Sequence, residues 1–234
     1  MLENILSAGL NELGLPATAE QTASFRAYAD LLCEKNKVMN LTAITQEDEV
    51  ARLHFLDCAA LCGCYDFSGK TAADIGTGAG FPGLVIKILN PSVHLTLLDS
   101  LDKRVGFLKE VCSELKLADV ECIHARAEEI PAGRREAYDV VMSRAVADLR
   151  VLAELCLPYV RQDGVFMAMK GPDFEEELER AKPAIKLLGG KTERCEKYTI
   201  PGTDITHSVI IIKKTGSTPA KYPRRWAQIK KSPI

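Results

Sequence analysis

The chain has 234 residues, 47% of them hydrophobic and 26% charged, an ordinary globular composition that excludes wholesale disorder. No apolar run approaches 18 residues, so no membrane-spanning helix is expected, and Met1-Leu2-Glu3-Asn4 lacks the basic flank of a secretory signal. The formal net charge of −2, taken as a total, argues against a nucleic-acid partner.

Residues 1–66 read as helical. Leu2, Ile5, Leu6, Leu10 and Leu13 recur at helical spacing until Gly14-Leu15-Pro16 stops the run. Thr18 and Gln21 resemble a capping box, opening a helix through Phe25, Ala29 and Leu32 toward Lys35. Thr45 is the expected cap of a third helix carrying Val50, Leu53, Asp57, Leu61 and Cys64.

From residue 70 the period changes, and strand-like runs alternate with helical ones. Thr71–Ile75 precedes a helix over Gly83–Leu89, and Val93–Leu98 precedes one over Leu101–Leu117. Val120–His124 is the third strand; Tyr138–Ser143 leads to helix Asp148–Leu157, and Val165–Met169 to helix Phe174–Leu188. Two strands, near Thr192–Thr199 and Ser208–Ile212, close the pattern. The alternation predicts an α/β fold, a mostly parallel seven-stranded sheet with helices on both faces. The turn at Pro201-Gly202 is too short for a parallel crossover, so the final strand is expected to run antiparallel. The expected organisation is a helical extension (1–66), an α/β domain (67–214) and an extended basic tail (215–234).

Eight cysteines, at 33, 58, 62, 64, 112, 122, 156 and 195, lie mostly inside apolar patterns. Only 58, 62 and 64 cluster, and no second pair at ligand spacing answers them, so reduced thiols and no metal are expected.

Chemistry concentrates in Asp74-Ile75-Gly76-Thr77-Gly78-Ala79-Gly80-Phe81-Pro82-Gly83, where the first strand turns into a helix. Glycines let a backbone adopt positive φ and approach a ligand, and the following helix start offers N–H groups. Gly78-x-Gly80-x-x-Gly83 satisfies the dinucleotide fingerprint, a weak signal alone. Asp74-x-Gly76-x-Gly78-x-Gly80 is the register of S-adenosylmethionine-dependent methyltransferases, where a strand-end carboxylate suits an ammonium group rather than a pyrophosphate. Asp99, 23 residues after Gly76, is placed to accept a ribose diol in either cofactor class. The antiparallel final strand favours a Rossmann-like methyltransferase over an NAD-dependent oxidoreductase.

Two acceptor signatures are missing. Ser143-Arg144-Ala145-Val146 stands where adenine-amino methyltransferases carry Asp/Asn-Pro-Pro-Tyr, and no Pro-Cys dipeptide offers a pyrimidine-C5 nucleophile. The chain instead resembles the bacterial glucose-inhibited division protein B family, the small-subunit rRNA guanine-N7 methyltransferases known as methyltransferase G. The resemblance runs through Asn36-Lys37, Asn40-Leu41-Thr42, His54-Phe55-Leu56-Asp57, the 74–83 loop and Leu98-Asp99-Ser100. It continues through Lys103-Arg104, Phe107-Leu108, Arg126-Ala127-Glu128, Ser143-Arg144-Ala145, Lys170-Gly171 and Lys221-Tyr222-Pro223-Arg224-Arg225.

That resemblance implies a cytoplasmic enzyme using S-adenosyl-L-methionine on 16S rRNA, with cofactor contacts at Gly76, Phe81, Ala127, Glu128 and Arg144. The residues themselves add Asp74, Gly78 and Asp99. Guanine N7 carries an unprotonated lone pair and loses no proton on methylation, so no residue is expected to act as a general base; alignment and desolvation suffice. His54 and Asp57, three apart on one helix, either pin the helical extension or wall the guanine pocket. A non-catalytic ribosome-assembly factor on the same fold is the competing reading, and a monomer is expected.

The charge total conceals an asymmetry. Lys213, Lys214, Lys221, Arg224, Arg225, Lys230 and Lys231 place +7 in the last 22 residues, with no acid among them, and removing them leaves −9 on residues 1–212. Lys221, Tyr222, Arg224, Arg225 and Trp226 are therefore the candidate RNA contacts, the two aromatics as stacking platforms.

Overall fold

The computed structural model describes residues 1–144 and 147–234. Five strands run parallel: β1 (Thr71–Ile75), β2 (His94–Asp99), β3 (Val120–His124), β4 (Tyr138–Arg144) and β5 (Val160–Lys170). β7 (Thr206–Lys214) is antiparallel to both β5 and β6 (Gly190–Thr199), giving the order β3-β2-β1-β4-β5-β7-β6. The mostly parallel seven-stranded sheet with a reversed last strand is the fold that the sequence predicts. The Pro201-Gly202 turn reverses the chain directly, and β7 inserts between β5 and β6.

Alternation along the strands splits the core in two. Ala72, Leu97, Met142, Met167 and Ile211 face one side, where they pack with Phe25, Tyr28, Phe55 and Leu84. Ala73, Leu98, Val141, Phe166 and Ile210 face the other, with Leu152, Ile185 and Tyr222. The N-terminal helices therefore share a core with the first face of the sheet.

α1 (Leu2–Glu12) and α2 (Ala19–Met39) follow the predicted pattern. Thr18 Oγ1 accepts from Gln21 N at 3.1 Å while Thr18 N donates to Gln21 Oε1 at 2.9 Å, closing the capping box. α2 runs one turn beyond Lys35 and ends at Asn40, whose left-handed φ of 50° terminates it. Thr45 is not a cap. The next segment begins as α3 (Glu47–Glu49) without a side-chain cap, three acids in its first turn answering the exposed N–H groups. A π-helix (Val50–Leu56), α4 (Asp57–Ala59) and α5 (Leu61–Cys64) follow. π-Helical turns often mark functional positions, and this one carries His54.

α6 (Gly83–Leu89) and α7 (Asp102–Glu114) cover the first face; α8 (Leu149–Cys156) and α9 (Glu175–Leu187) cover the second. β5 starts five residues earlier than the sequence suggests. Its polar Arg161-Gln162-Asp163 stretch hides the periodicity, and the register slips between Tyr138 and Val140 to absorb it.

The C-terminal segment is not an extended tail. Tyr222 and Ile229 are buried, and α10 (Trp226–Lys231) packs on α8. All eight cysteines are unpaired thiols.

Candidate active site

A cleft of about 530 Å³ opens at the carboxyl ends of β1–β4, the crevice where open α/β sheets place their ligands. Gly76, Gly78, Phe81, Asp99, Ala127, Glu128 and Arg144 all line it, so the fold brings together seven of the eight cofactor candidates. The eighth is corrected: Asp74 is completely buried and is not among the lining residues.

The glycines of the loop divide into two kinds. Gly76 (φ +74°) and Gly78 (φ +61°) would carry a Cβ into open space, so their lack of a side chain leaves room in the cleft and permits the turn. A Cβ on Gly83 would stand 2.5 Å from Leu97 and 2.9 Å from Asp74, so this glycine serves close helix–strand packing. Gly80 is crowded by Leu84 and by the hydroxyl of Tyr28, which donates to Ala79 O at 2.5 Å. Tyr28 thus lets α2 brace the loop, a role its place in an apolar helical stripe conceals.

Asp74 braces the same loop from beneath. Its Oδ2 accepts from Thr77 Oγ1 at 2.7 Å and from Gly83 N at 2.8 Å, while Oδ1 is buried without a hydrogen-bond partner among the described residues. Burial pushes this carboxyl up to about 6, with the two hydrogen bonds opposing the rise.

Asp99 at the end of β2 accepts from Gly78 N through Oδ2 and from Leu101 N through Oδ1, both at 2.9 Å. Oδ2 also accepts from Arg104 Nη1 at 3.5 Å, so Oδ1 is the oxygen that keeps a lone pair for a diol hydroxyl. After β3, Glu128 pairs with Arg126 at 2.7 Å, and Ala127 O accepts from Tyr159 OH at 2.8 Å, fixing the backbone there. Room beside two glycines, a carboxylate ready for a diol and a fixed loop beyond it fit a nucleoside-bearing cofactor.

Arg144 ends β4 and closes the cleft on one side. It donates to Leu53 O at 3.1 Å and to His54 Nδ1 at 2.9 Å, lies 3.4 Å from Asp57 Oδ2, and its guanidinium carbon sits 4.9 Å from the Phe81 ring centroid. Phe81 stacks on His54 at 4.4 Å between ring centroids. Because Arg144 only donates, His54 Nδ1 must accept, which puts the ring proton on Nε2, 2.8 Å from Thr42 Oγ1. Burial, then the Arg144 charge, lowers His54 to about 3, so it stays neutral. Asp57 Oδ1 accepts from Tyr198 OH and His207 Nδ1, each at 2.8 Å. Those two partners come from β6 and β7, more than 140 residues away in sequence, and only the sheet order reveals them. Ala145 of the Ser143-Arg144-Ala145 run and Val146 lie outside the described residues.

The RNA candidates divide. Lys221 and Arg225 are exposed, as are Lys230 and Lys231. Tyr222 and Arg224 are corrected: the first is only 8% exposed within the second core, and the second is bound to the fully buried Glu154. Trp226 is half-buried and lines the cleft. The buried Glu154 and the second core hold the C-terminal segment as a strap on the α/β body, while the four cations Lys221, Arg225, Lys230 and Lys231 stay exposed.

Sheet order, glycine loop and the cleft at the strand ends define a Rossmann-like fold of the methyltransferase type. A family model described as rRNA small subunit methyltransferase G matches residues 21–205, and the chain belongs to that family. The ribosomal RNA small subunit methyltransferase G of Clostridium botulinum (strain Loch Maree / Type A3) is 46% identical over 234 residues, covering 99% of this chain and 98% of that one. That of Alkaliphilus metalliredigens (strain QYMF) is 48% identical over 233 residues, with 98% of each covered. Among solved structures, a putative sarcosine dimethylglycine methyltransferase from Galdieria sulphuraria superposes with a TM-score of 0.55 at 13% identity, covering 82% of this chain and 98% of that one. M. jannaschii TYW2, solved with S-adenosylmethionine, gives 0.51 at 16%, covering 62% and 68%. At such identities these two speak for the fold alone.

Proposed function

We infer that this chain transfers the methyl group of S-adenosylmethionine to N7 of one guanine in the 16S rRNA of the small ribosomal subunit. The observation that supports an acceptor base beside the cofactor is a second cavity of about 580 Å³. It shares His54 and Arg144 with the cleft, and Leu53, Asp57, Met169, Lys170 and His207 complete much of its wall. One wall of two side chains thus separates a nucleoside cleft from a space of mixed apolar and polar lining.

The bound cofactor supplies an electrophilic sulfonium methyl. The residues position and dehydrate. Asp99, with the backbone at Gly76, Gly78 and Ala127, holds the nucleoside end, and Phe81 and Arg144 border the cleft where it meets the second cavity. The guanine N7 lone pair lies in the ring plane and attacks without losing a proton, so no side chain has to act as a base. The groups lining the second cavity agree with that. Both ring nitrogens of neutral His54 are engaged, and the hydrogen bond to Asp57 raises the pKa of His207. Catalysis rests on alignment and exclusion of water.

The exposed Lys221, Arg225, Lys230 and Lys231 are assigned to the rRNA backbone, and the enzyme to the cytoplasm as a monomer. Among the described residues no helix is long and apolar enough to cross a membrane. The test is to incubate small subunits, and separately naked 16S rRNA, from a strain lacking the gene with labelled cofactor, then cleave chemically at 7-methylguanosine. A single cleavage at one guanine is expected. Label at another atom refutes the N7 assignment, and no label on either substrate refutes the enzyme.

A further inference from the structure

We propose that the C-terminal strap is part of the cofactor site, with Trp226 covering the nucleoside end of the cleft rather than stacking on an RNA base. The assignment rests on the cleft being the cofactor site.

The strap is built to stay in place. Arg135 donates to Tyr222 O at 2.8 Å and to Thr218 O at 2.9 Å, and Thr218 N donates to Glu136 Oε1 at 2.7 Å. Further along, Glu154 on α8 has no exposure at all and takes Arg224 through three contacts: backbone N at 2.9 Å, Nε at 2.8 Å and Nη2 at 2.6 Å. Arg224 Nη2 also donates to Ser232 O at 3.1 Å, so one guanidinium ties both ends of α10 to the same acid. A charge buried this deeply at the root of a helix fixes what the helix presents.

What it presents is Trp226, the first residue of α10 and the only tryptophan in the chain. It lines the cleft together with Leu155 of α8, the helix on which α10 packs. Ala127 and Glu128, after β3, line the same cleft. A large flat ring held half-buried at a nucleoside cleft suits the face of a purine, because adenine stacks on indole without needing hydrogen-bond readout. A ring on a flexible arm would lose that ordering; the Glu154 clamp removes the cost before the ligand arrives.

The single tryptophan makes the test direct. The full chain is titrated with S-adenosylhomocysteine while Trp226 emission and calorimetric heat are followed in parallel. Emission is expected to change and to saturate at the calorimetric Kd. Trp226→Ala should raise that Kd about tenfold and Trp226→Phe about threefold or less, as base–aromatic stacking losses do. Circular dichroism melting confirms that the variants fold. Unchanged emission at saturating ligand, or a Trp226→Ala Kd within twofold of the parent, overturns the proposal. So does a variant with weakened rRNA binding and unaltered ligand affinity, which would return the ring to RNA. Absence of any heat with the unmodified chain would instead sink the cofactor reading itself, a distinguishable failure.

Discussion

Arg144 Nη2 lies 2.9 Å from His54 Nδ1, joining the end of β4 to the π-helix of the N-terminal extension. The same guanidinium reaches Leu53 O and Asp57 and lies over Phe81, so one side chain ties the helical extension, the glycine loop and the sheet together. It also stands in the wall common to both cavities. The helical extension thereby builds part of the wall between the two cavities and is no appendage.

Arg144→Ala should therefore cost both stability and transfer. Removing one member of a buried hydrogen-bonded charge cluster costs about 3–5 kcal/mol, and loosening the wall between reactants costs about a hundredfold in rate. Arg144→Lys keeps the charge but not the planar fork, so most of the rate loss should remain. Thermal melting and single-turnover methyl transfer measure the two effects separately; a Lys variant with parental rate would show that charge alone matters.

Asp74 gives a pH signature. Its carboxyl is raised from 3.8 to about 6, so between those values the folded protein holds a proton that the unfolded chain has lost. Stability from this group is full below about pH 4 and is lost as pH rises through about 6, a change of up to about 3 kcal/mol. Asp74→Asn keeps an acceptor for Thr77 and Gly83 but cannot ionise. Its stability relative to the parent should rise between pH 4.5 and 7.5 in urea titrations, and a constant difference would contradict the buried carboxylate.

The strap depends on an acid that composition cannot show. Arg224→Ala leaves Glu154 charged and buried without its partner, at a cost of about 3–5 kcal/mol. Limited proteolysis should then cut after Lys221 or Arg225 far faster than in the parent chain. Equal protection in both would mean that Arg135 and the core contacts of Tyr222 suffice.

Four exposed cations, Lys221, Arg225, Lys230 and Lys231, are free to meet phosphates, whereas Arg224 and the buried Lys214 hold Glu154 and Glu136. Each phosphate contact contributes about 0.7 to the slope of log affinity against log salt. Changing all four to glutamine should flatten the slope by about 3 and leave S-adenosylhomocysteine affinity unaltered. An unchanged slope would remove the strap from the RNA interface.

The sequence by itself determined the order of strands and helices, the reversed last strand, the glycine turn and Asp99, because each follows from local periodicity, turn length or backbone freedom. It also carried the family resemblance, since the motifs are runs of neighbouring residues. Tertiary structure decided what each polar group faces. Asp74 reads as a ligand contact and is a brace beneath the loop; Tyr222 and Arg224 read as a basic arm and are anchors. Tyr28, Tyr198, His207 and Glu154 carry no local signal, because their partners lie 51 to 150 residues away. The charge total shows the same division. Composition places +7 at one end, but which of those charges remain in solvent is settled by Glu136 and the buried Glu154 elsewhere on the chain, through contacts that exist only once the sheet has formed.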